Sequence, residues 1–307
     1  MRFITSIQQM RHFFEYIAAI TLVKCLCVIP RSMAFHFGRV LGWCVWSLGI
    51  RKKLVLANLA QAFPDATLAE IKIIGRRAAE NLGRTSVEFI RYGIKEPHSI
   101  HDLVTVQGLD PLKQALARGN GAIVLTGHYA AWVAYFAAIS THGIPLSLLV
   151  GKQHNQRIDQ LILKIPGDWV EFITKGRAAV KKILLKLNEG HAVVMTADQH
   201  AGRGVVVPFL GKEASTLPLP GSFAAKYHTP LFFMWGYRKD DGTHQVEIKE
   251  LTYELKDSEE ETKKEVLTRY NEEMGRVILE KPEQYFWYHR RWRDGYNKKP
   301  KRSPQKH

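Results

Sequence analysis

Residues 121–132 read GAIVLTGHYAAW. The run Ala122–Thr126 is short, mostly apolar and bracketed by glycines, and a histidine follows at once. That pattern predicts a buried strand ending in a sharp turn. Four similar runs come later: Leu146–Val150 (LSLLV), Trp169–Thr174, Ala192–Ala197 (AVVMTA) and Leu231–Tyr237. Helical stretches, Tyr129–Thr141, Arg157–Leu163 and Arg177–Asn188, separate several of them. The alternation predicts an α/β fold with a mostly parallel central sheet flanked by helices. Upstream, Leu54–Ala62 and Leu68–Ile94 carry helical periodicity, broken at Phe63-Pro64-Asp65. Downstream, Gln245–Leu255 alternates and reads as a closing or edge strand. Ser258–Leu279 reads as a charged, exposed helix.

In open α/β sheets ligands bind beyond the carboxyl ends of the strands. Two ionisable residues fall there: His128 after AIVLT and Gly127, and Asp198 after AVVMTA. Whether they meet depends on strand order. His128 is placed in the first turn of the next helix, where the helix dipole disfavours a positive charge and keeps the ring neutral. A neutral imidazole takes a proton from an attacking hydroxyl, and positioned general-base catalysis is worth about 10²–10⁴ in rate. The competing reading is a histidine that only caps a helix. The remaining histidines give no metal-ligand spacing: His98 and His101 stand three apart, but in a loop context beside Pro97.

The 307 residues carry 44 Lys and Arg against 29 Asp and Glu, a formal charge of +15. Such a balance favours anionic partners. Nucleic acid fits the charge, but no helix-turn-helix, zinc finger or aromatic RNA-binding motif is present. The three cysteines, Cys25, Cys27 and Cys44, lack paired metal spacing and read as buried apolar residues.

Ile17–Ile29 carries no charge except Lys24 and ends at Pro30-Arg31. Thirteen helical residues span roughly 20 Å, short of a hydrocarbon layer of roughly 30 Å. Met33–Ile50 mixes Phe35, Phe37, Trp43 and Trp46 with His36 and Arg39, a composition suited to the headgroup level. These features predict a membrane-anchor helix followed by an interfacial helix. An amphipathic pair packed on a soluble core is the alternative. Arg51, Lys52 and Lys53, and eight basic residues against one acid between Arg290 and Lys306, suit an anionic surface. The organisation expected is a membrane-attachment segment over 1–50, one catalytic domain over 51–297 and a basic tail over 298–307.

Four ordered segments resemble the lipid A biosynthesis acyltransferases, the lauroyl/myristoyl branch of the lysophospholipid acyltransferase superfamily. GAIVLTGHYAAW is similar to that family's H-x4-(D/E) region, and NLAQAFPDATLAEI to its N-L-x-x-x-F-P segment. ADQHAGRGVVVPFLGKEAST resembles the D-Q…G…V-P-F-x-G…T segment, and PEQYFWYHRRWR the C-terminal P-E-Q-Y-x-W-x-H-R-R segment. The likeness runs from about residue 15 to 293. It implies O-acyl transfer on the cytoplasmic face of the bacterial inner membrane, a step of lipopolysaccharide assembly. The implied donor is a fatty acyl thioester on acyl carrier protein. The implied acceptor is a hydroxyl of an anionic glycolipid, a lipid A precursor. No cofactor or metal is implied.

The departure from the family pattern is Val133, which stands where the acid of H-x4-(D/E) is due. Valine cannot orient or charge-balance an imidazole, so either another carboxylate substitutes or the chain binds lipid without turnover. Asp198 is the first choice for the substitute and Glu88 the second. The family's basic residue after the second strand aligns with Lys164. Arg203, Arg290 and Arg291 are candidates for phosphate contacts, and Thr216 for the acyl groove. Trp132 and Phe136, four apart, are placed to flank an acyl chain or to pack in the core.

Overall fold

The computed structural model describes residues 2–94, 100–151, 155, 159–160, 163–164 and 170–292. Four helices open the chain: α1 (Arg2–Val28), α2 (Arg31–Ser47), α3 (Lys52–Ala62) and α4 (Leu68–Ile94). Pro30 lacks the N–H that would continue α1 and caps the start of α2 instead. Phe63-Pro64-Asp65 separates α3 from α4 as expected. Thr67 then starts α4 with a capping box, its hydroxyl accepting the Glu70 N–H at 3.3 Å while Glu70 Oε2 accepts the Thr67 N–H at 2.8 Å.

α2 lies on α4 in backbone-to-backbone contact. A Cβ on Gly38 would meet the Gly83 carbonyl at 2.8 Å, and one on Gly42 would overlap Ala79. Only glycine permits so close an approach. Among the described residues no helix is long and apolar enough to cross a membrane. The expected membrane-anchor helix is therefore not shown as a spanning segment. The helix does not stop at the apolar run but extends back over Glu15 and Arg11, which dilute it. The pair still exposes apolar side chains, among them Val28, Met33, Phe37, Trp43 and Leu48.

Among the described residues the central sheet has seven strands: β1 (Val104–Gln107), β2 (Ala122–Thr126), β3 (Leu146–Val150), β4 (Val170–Thr174), β5 (Ala192–Thr196), β8 (Leu231–Arg238) and β9 (His244–Glu250). Their order is β1-β9-β8-β2-β5-β3-β4. Every pairing is parallel except β8 with β9. A separate hairpin, β6 (Val205–Phe209) and β7 (Lys212–Thr216), sits outside it. Further helices are α5 (Ile100–Leu103), α6 (Leu109–Ala117), α7 (Trp132–Ser140), α8 (Ala179–Asn188), α9 (Leu219–Tyr227) and α10 (Glu259–Glu280). β2 is buried at every position, because layers cover both faces of a parallel sheet.

Three expectations need correction. The 245–255 segment is no edge: β9 lies between β1 and β8, and the edges are β1 and β4. The 258–279 helix is charged on one side only, since α10 buries Val266, Leu267, Tyr270, Met274 and Ile278. The helix after β2 begins at Trp132 rather than Tyr129, because the chain first makes a turn at His128–Ala131. Most of the helix expected over 157–163, and the tail beyond 292, lie outside the described residues.

Candidate active site

β2 and β5 are neighbours in parallel register, with Thr126 opposite Thr196. Two residues past each of those partners stand His128 and Asp198, so the register brings them face to face. Asp198 Oδ2 accepts the His128 backbone N–H at 2.9 Å, and Oδ1 lies 2.8 Å from His128 Nδ1. The Asp198 side chain is fully buried; His128 keeps 20% of its side chain exposed. Gly127 permits the turn's tight seat, because a Cβ there would meet Met274 Sδ of α10 at 2.7 Å.

Burial alone would raise the Asp198 carboxyl. The His128 charge and its hydrogen bonds, with His289 behind them, outweigh burial and hold it well below the usual carboxylate range. An ionised carboxylate only accepts hydrogen bonds, so Nδ1 carries a proton, and in the neutral tautomer that this selects Nε2 presents its lone pair. Gln199 Nε2 lies 3.3 Å from that Nε2.

The turn from Gly127 to Ala131 is strained and well secured. Ala130 adopts φ 46, a left-handed conformation that costs an L-residue about 1–2 kcal/mol. Its N–H donates to the Gln284 carbonyl at 2.8 Å, and its own carbonyl accepts Thr85 Oγ1 at 2.9 Å. The Trp132 ring stands 5.1 Å from the imidazole, edge-on, and the Phe286 ring 6.0 Å away.

Beside His128 opens a cavity of about 480 Å³. α4 contributes Leu82, Ser86 and Phe89 to its walls, α7 contributes Trp132, Val133 and Phe136, and Leu148 and Phe172 come from β3 and β4. Lys175, Gln199 and Asp159 supply polarity. Most of the lining is apolar, and His128 is part of it.

The structure separates the other candidates. Trp132 and Phe136 line the cavity, as does Val133. Glu88 does not reach His128. It is fully buried and paired with Arg238 and with His244 Nε2 at 3.0 Å. Arg291 and Thr216 are also buried away from the slot: Arg291 Nη2 donates to Thr216 Oγ1 at 2.8 Å and Nη1 to the Ser215 carbonyl at 2.7 Å. These bonds clamp the C-terminal segment to β7 and leave both residues outside the cavity lining. Lys164, Arg203 and Arg290 are exposed and none lines the cavity.

Two cavity residues escaped the sequence reading. Gln199 adjoins Asp198. Lys175 stands one residue past β4, at the same carboxyl-end rim that singled out His128 and Asp198. Its surface is exposed, yet the ammonium lies deep enough among cavity atoms for desolvation to lower its pKa, against the pull of Asp198.

An imidazole–carboxylate pair stands beside a slot whose mainly apolar lining suits a hydrocarbon chain. Over residues 1–294 the chain matches the family model of the bacterial lipid A biosynthesis acyltransferases, and it belongs to that family. A search among curated proteins gave no match. Among the described residues no cluster of His, Cys, Asp and Glu is arranged to hold a metal ion.

Proposed function

We propose that this chain moves a fatty acyl group from a thioester on acyl carrier protein to a hydroxyl of a lipid A precursor or similar anionic glycolipid. The observation that carries the reading is the two-point contact of Asp198 with His128 at the head of the apolar cavity. His128 Nε2 removes the hydroxyl proton as the alkoxide attacks the thioester carbonyl. An O–C bond forms, the C–S bond breaks, and the imidazolium returns its proton to the departing thiolate. Asp198 fixes the tautomer and balances the imidazolium charge, the work that the acid of H-x4-(D/E) does elsewhere in the family pattern. The acyl chain lies along Trp132, Val133, Phe136 and Phe172. Lys175 meets an anionic group of donor or acceptor at the rim. Trp132 is thus a substrate contact, as is Lys175, while Arg203, Arg290 and Lys164 stay at the surface outside the slot.

The exposed side chains of α1 and α2, flanked by Arg31, Arg39 and Lys52, support attachment to the cytoplasmic face of the inner membrane without a spanning segment. Apolar surface sinks to the headgroup boundary and the cations meet anionic lipid.

The test is a transfer assay with acyl carrier protein loaded with several chain lengths and a lipid A precursor as acceptor. Ester formation is read by mass spectrometry, and His128→Ala should lower it about 10²–10⁴-fold. Val133 favours a second reading, a degenerate member that binds lipid without turnover. That reading holds if no donor supports transfer and His128→Ala leaves lipid binding unchanged.

A further inference from the structure

Two segments conspicuous in the sequence, NLAQAFP at 58–64 and PEQYFWYHRR at 282–291, take no part in the proton transfer. They nevertheless meet beside it. The second forms a strap across the His128 turn. At its first end Gln284 accepts the Ala130 N–H at 2.8 Å, Tyr285 bridges Tyr129, and the Phe286 N–H donates to the His128 carbonyl at 3.0 Å. At its second end the strap is tied to α3. Asn58 Nδ2 donates to the carbonyls of both Trp287 and His289, each at 2.8 Å. Arg51 Nη1 donates to the Tyr288 carbonyl at 2.8 Å, and the Phe63 ring meets the Trp287 ring edge-on at 6.2 Å.

The peptide of His128 is therefore gripped on both sides. Its N–H is bound by Asp198 and its carbonyl by the Phe286 amide. The strap has little freedom while Asn58 holds it, because Asn58 is only 4% exposed and both of its protons are used on carbonyls. Removing that amide strips two carbonyls of their shared donor, which favours any movement of the strap that hydrates them. Such a movement draws the Phe286 amide from His128 and frees the ring to leave Asp198.

We infer that Asn58 is a positioning residue for His128, acting through the strap, with Arg51 as a second, weaker anchor. The kinetic part of the inference rests on the acyl-transfer reading; the geometric part does not.

The experiment compares wild type with Asn58→Ala, with the isosteric Asn58→Asp, which lacks the donors, and with Arg51→Asn. Asparagine suits position 51 because Arg51 holds φ 52 and asparagine tolerates that region. Each variant is assayed for kcat, KM and thermal midpoint, and for the downfield proton signal of the imidazole N–H shared with Asp198. Both Asn58 variants should lose about 10- to 100-fold in kcat per folded molecule with KM nearly unchanged, as expected of a slightly misplaced base. The imidazole signal should shift or broaden, and Arg51→Asn should move both readouts less and in the same direction. Full kcat per folded molecule with an undisturbed signal would overturn the inference, even if the melting point falls. If the Asn58 variants do not fold, the exposed Arg51→Asn decides by the same two readouts. If wild type transfers no acyl group, the function reading fails, and the imidazole signal alone then judges the strap.

Discussion

Asp198 holds His128 by backbone and ring together, with Oδ2 on the amide at 2.9 Å and Oδ1 at Nδ1 at 2.8 Å. The arrangement needs neighbouring strands, because each residue lies two positions past paired threonines. It also makes the carboxylate hard to replace. Asp198→Asn keeps the shape but offers an amide that stabilises the wrong ring tautomer. By analogy with the serine-protease triad, transfer should fall about 10⁴-fold with the fold intact. The comparison of kcat with a circular-dichroism melt checks it, and a loss under tenfold would remove Asp198 from the mechanism.

Val133 lines the cavity wall, and Asp198 already occupies Nδ1. Restoring an acid at 133 therefore puts a carboxylate among Leu148, Phe136 and Phe172, with its ring partner taken. Val133→Glu should lower kcat/KM and cost about 1–3 kcal/mol of stability. A gain in activity would instead identify the chain as one that lost its acid and kept no substitute.

Lys175 lies at the slot and Lys164 does not. Lys175→Gln should raise KM for the anionic substrate about tenfold with a smaller change in kcat, whereas Lys164→Gln should leave both near wild type. Steady-state kinetics on the two variants separates them. Equal effects would mean that the rim cation acts only through overall charge.

Acid sensitivity follows from groups held off their ordinary values. Burial lowers His289 to about 4 from 6.5. Unfolded His289 thus binds a proton that the folded form refuses, and stability declines as pH falls from about 6.5 toward 4. Burial would raise Glu88, but Arg238 and His244 overcome it and hold the carboxyl at about 2. Its contribution is complete above the unfolded value near 4.5 and is lost as pH falls toward 2. Urea titrations across pH should show these two stages. Glu88→Gln, which leaves Arg238 without its counter-charge, should cost about 3–5 kcal/mol at pH 7. A flat profile between pH 6.5 and 4 would discount His289.

Trp43 and Phe37 project from α2 at 49% and 42% exposure. Burial of an aromatic side chain is worth about 1.5–3 kcal/mol, so Trp43→Glu should weaken binding to anionic vesicles by tenfold or more. Vesicle co-sedimentation at two salt concentrations reads it. Unchanged binding would place the lipid contact elsewhere.

The strands carrying the site were legible because AIVLT and AVVMTA are short apolar runs, and because chemistry gathers where such strands end. Their adjacency was not, since β5 inserts between β2 and β3 from far along the chain. β1 went unseen because VTVQ is only four residues long, and the β6 strand VVVPF because Pro208 argues against a ladder. Arg291 misled for a plain reason. A guanidinium reads as surface chemistry, yet here it serves as an internal hydrogen-bond fork. Lys175 carried the same strand-exit mark as Asp198, and alignment to a family pattern drew attention to Lys164 instead.

The glycine contacts that join α2 to α4 reach further than packing. Leu82, Ser86 and Phe89 hang from the same rod that α2 grips at Gly83, while Phe37 and Trp43 protrude on the far side. One wall of the slot and the exposed apolar side chains of α2 are therefore carried on one tightly joined helix pair, so a bulkier residue at the glycine seam should disturb both.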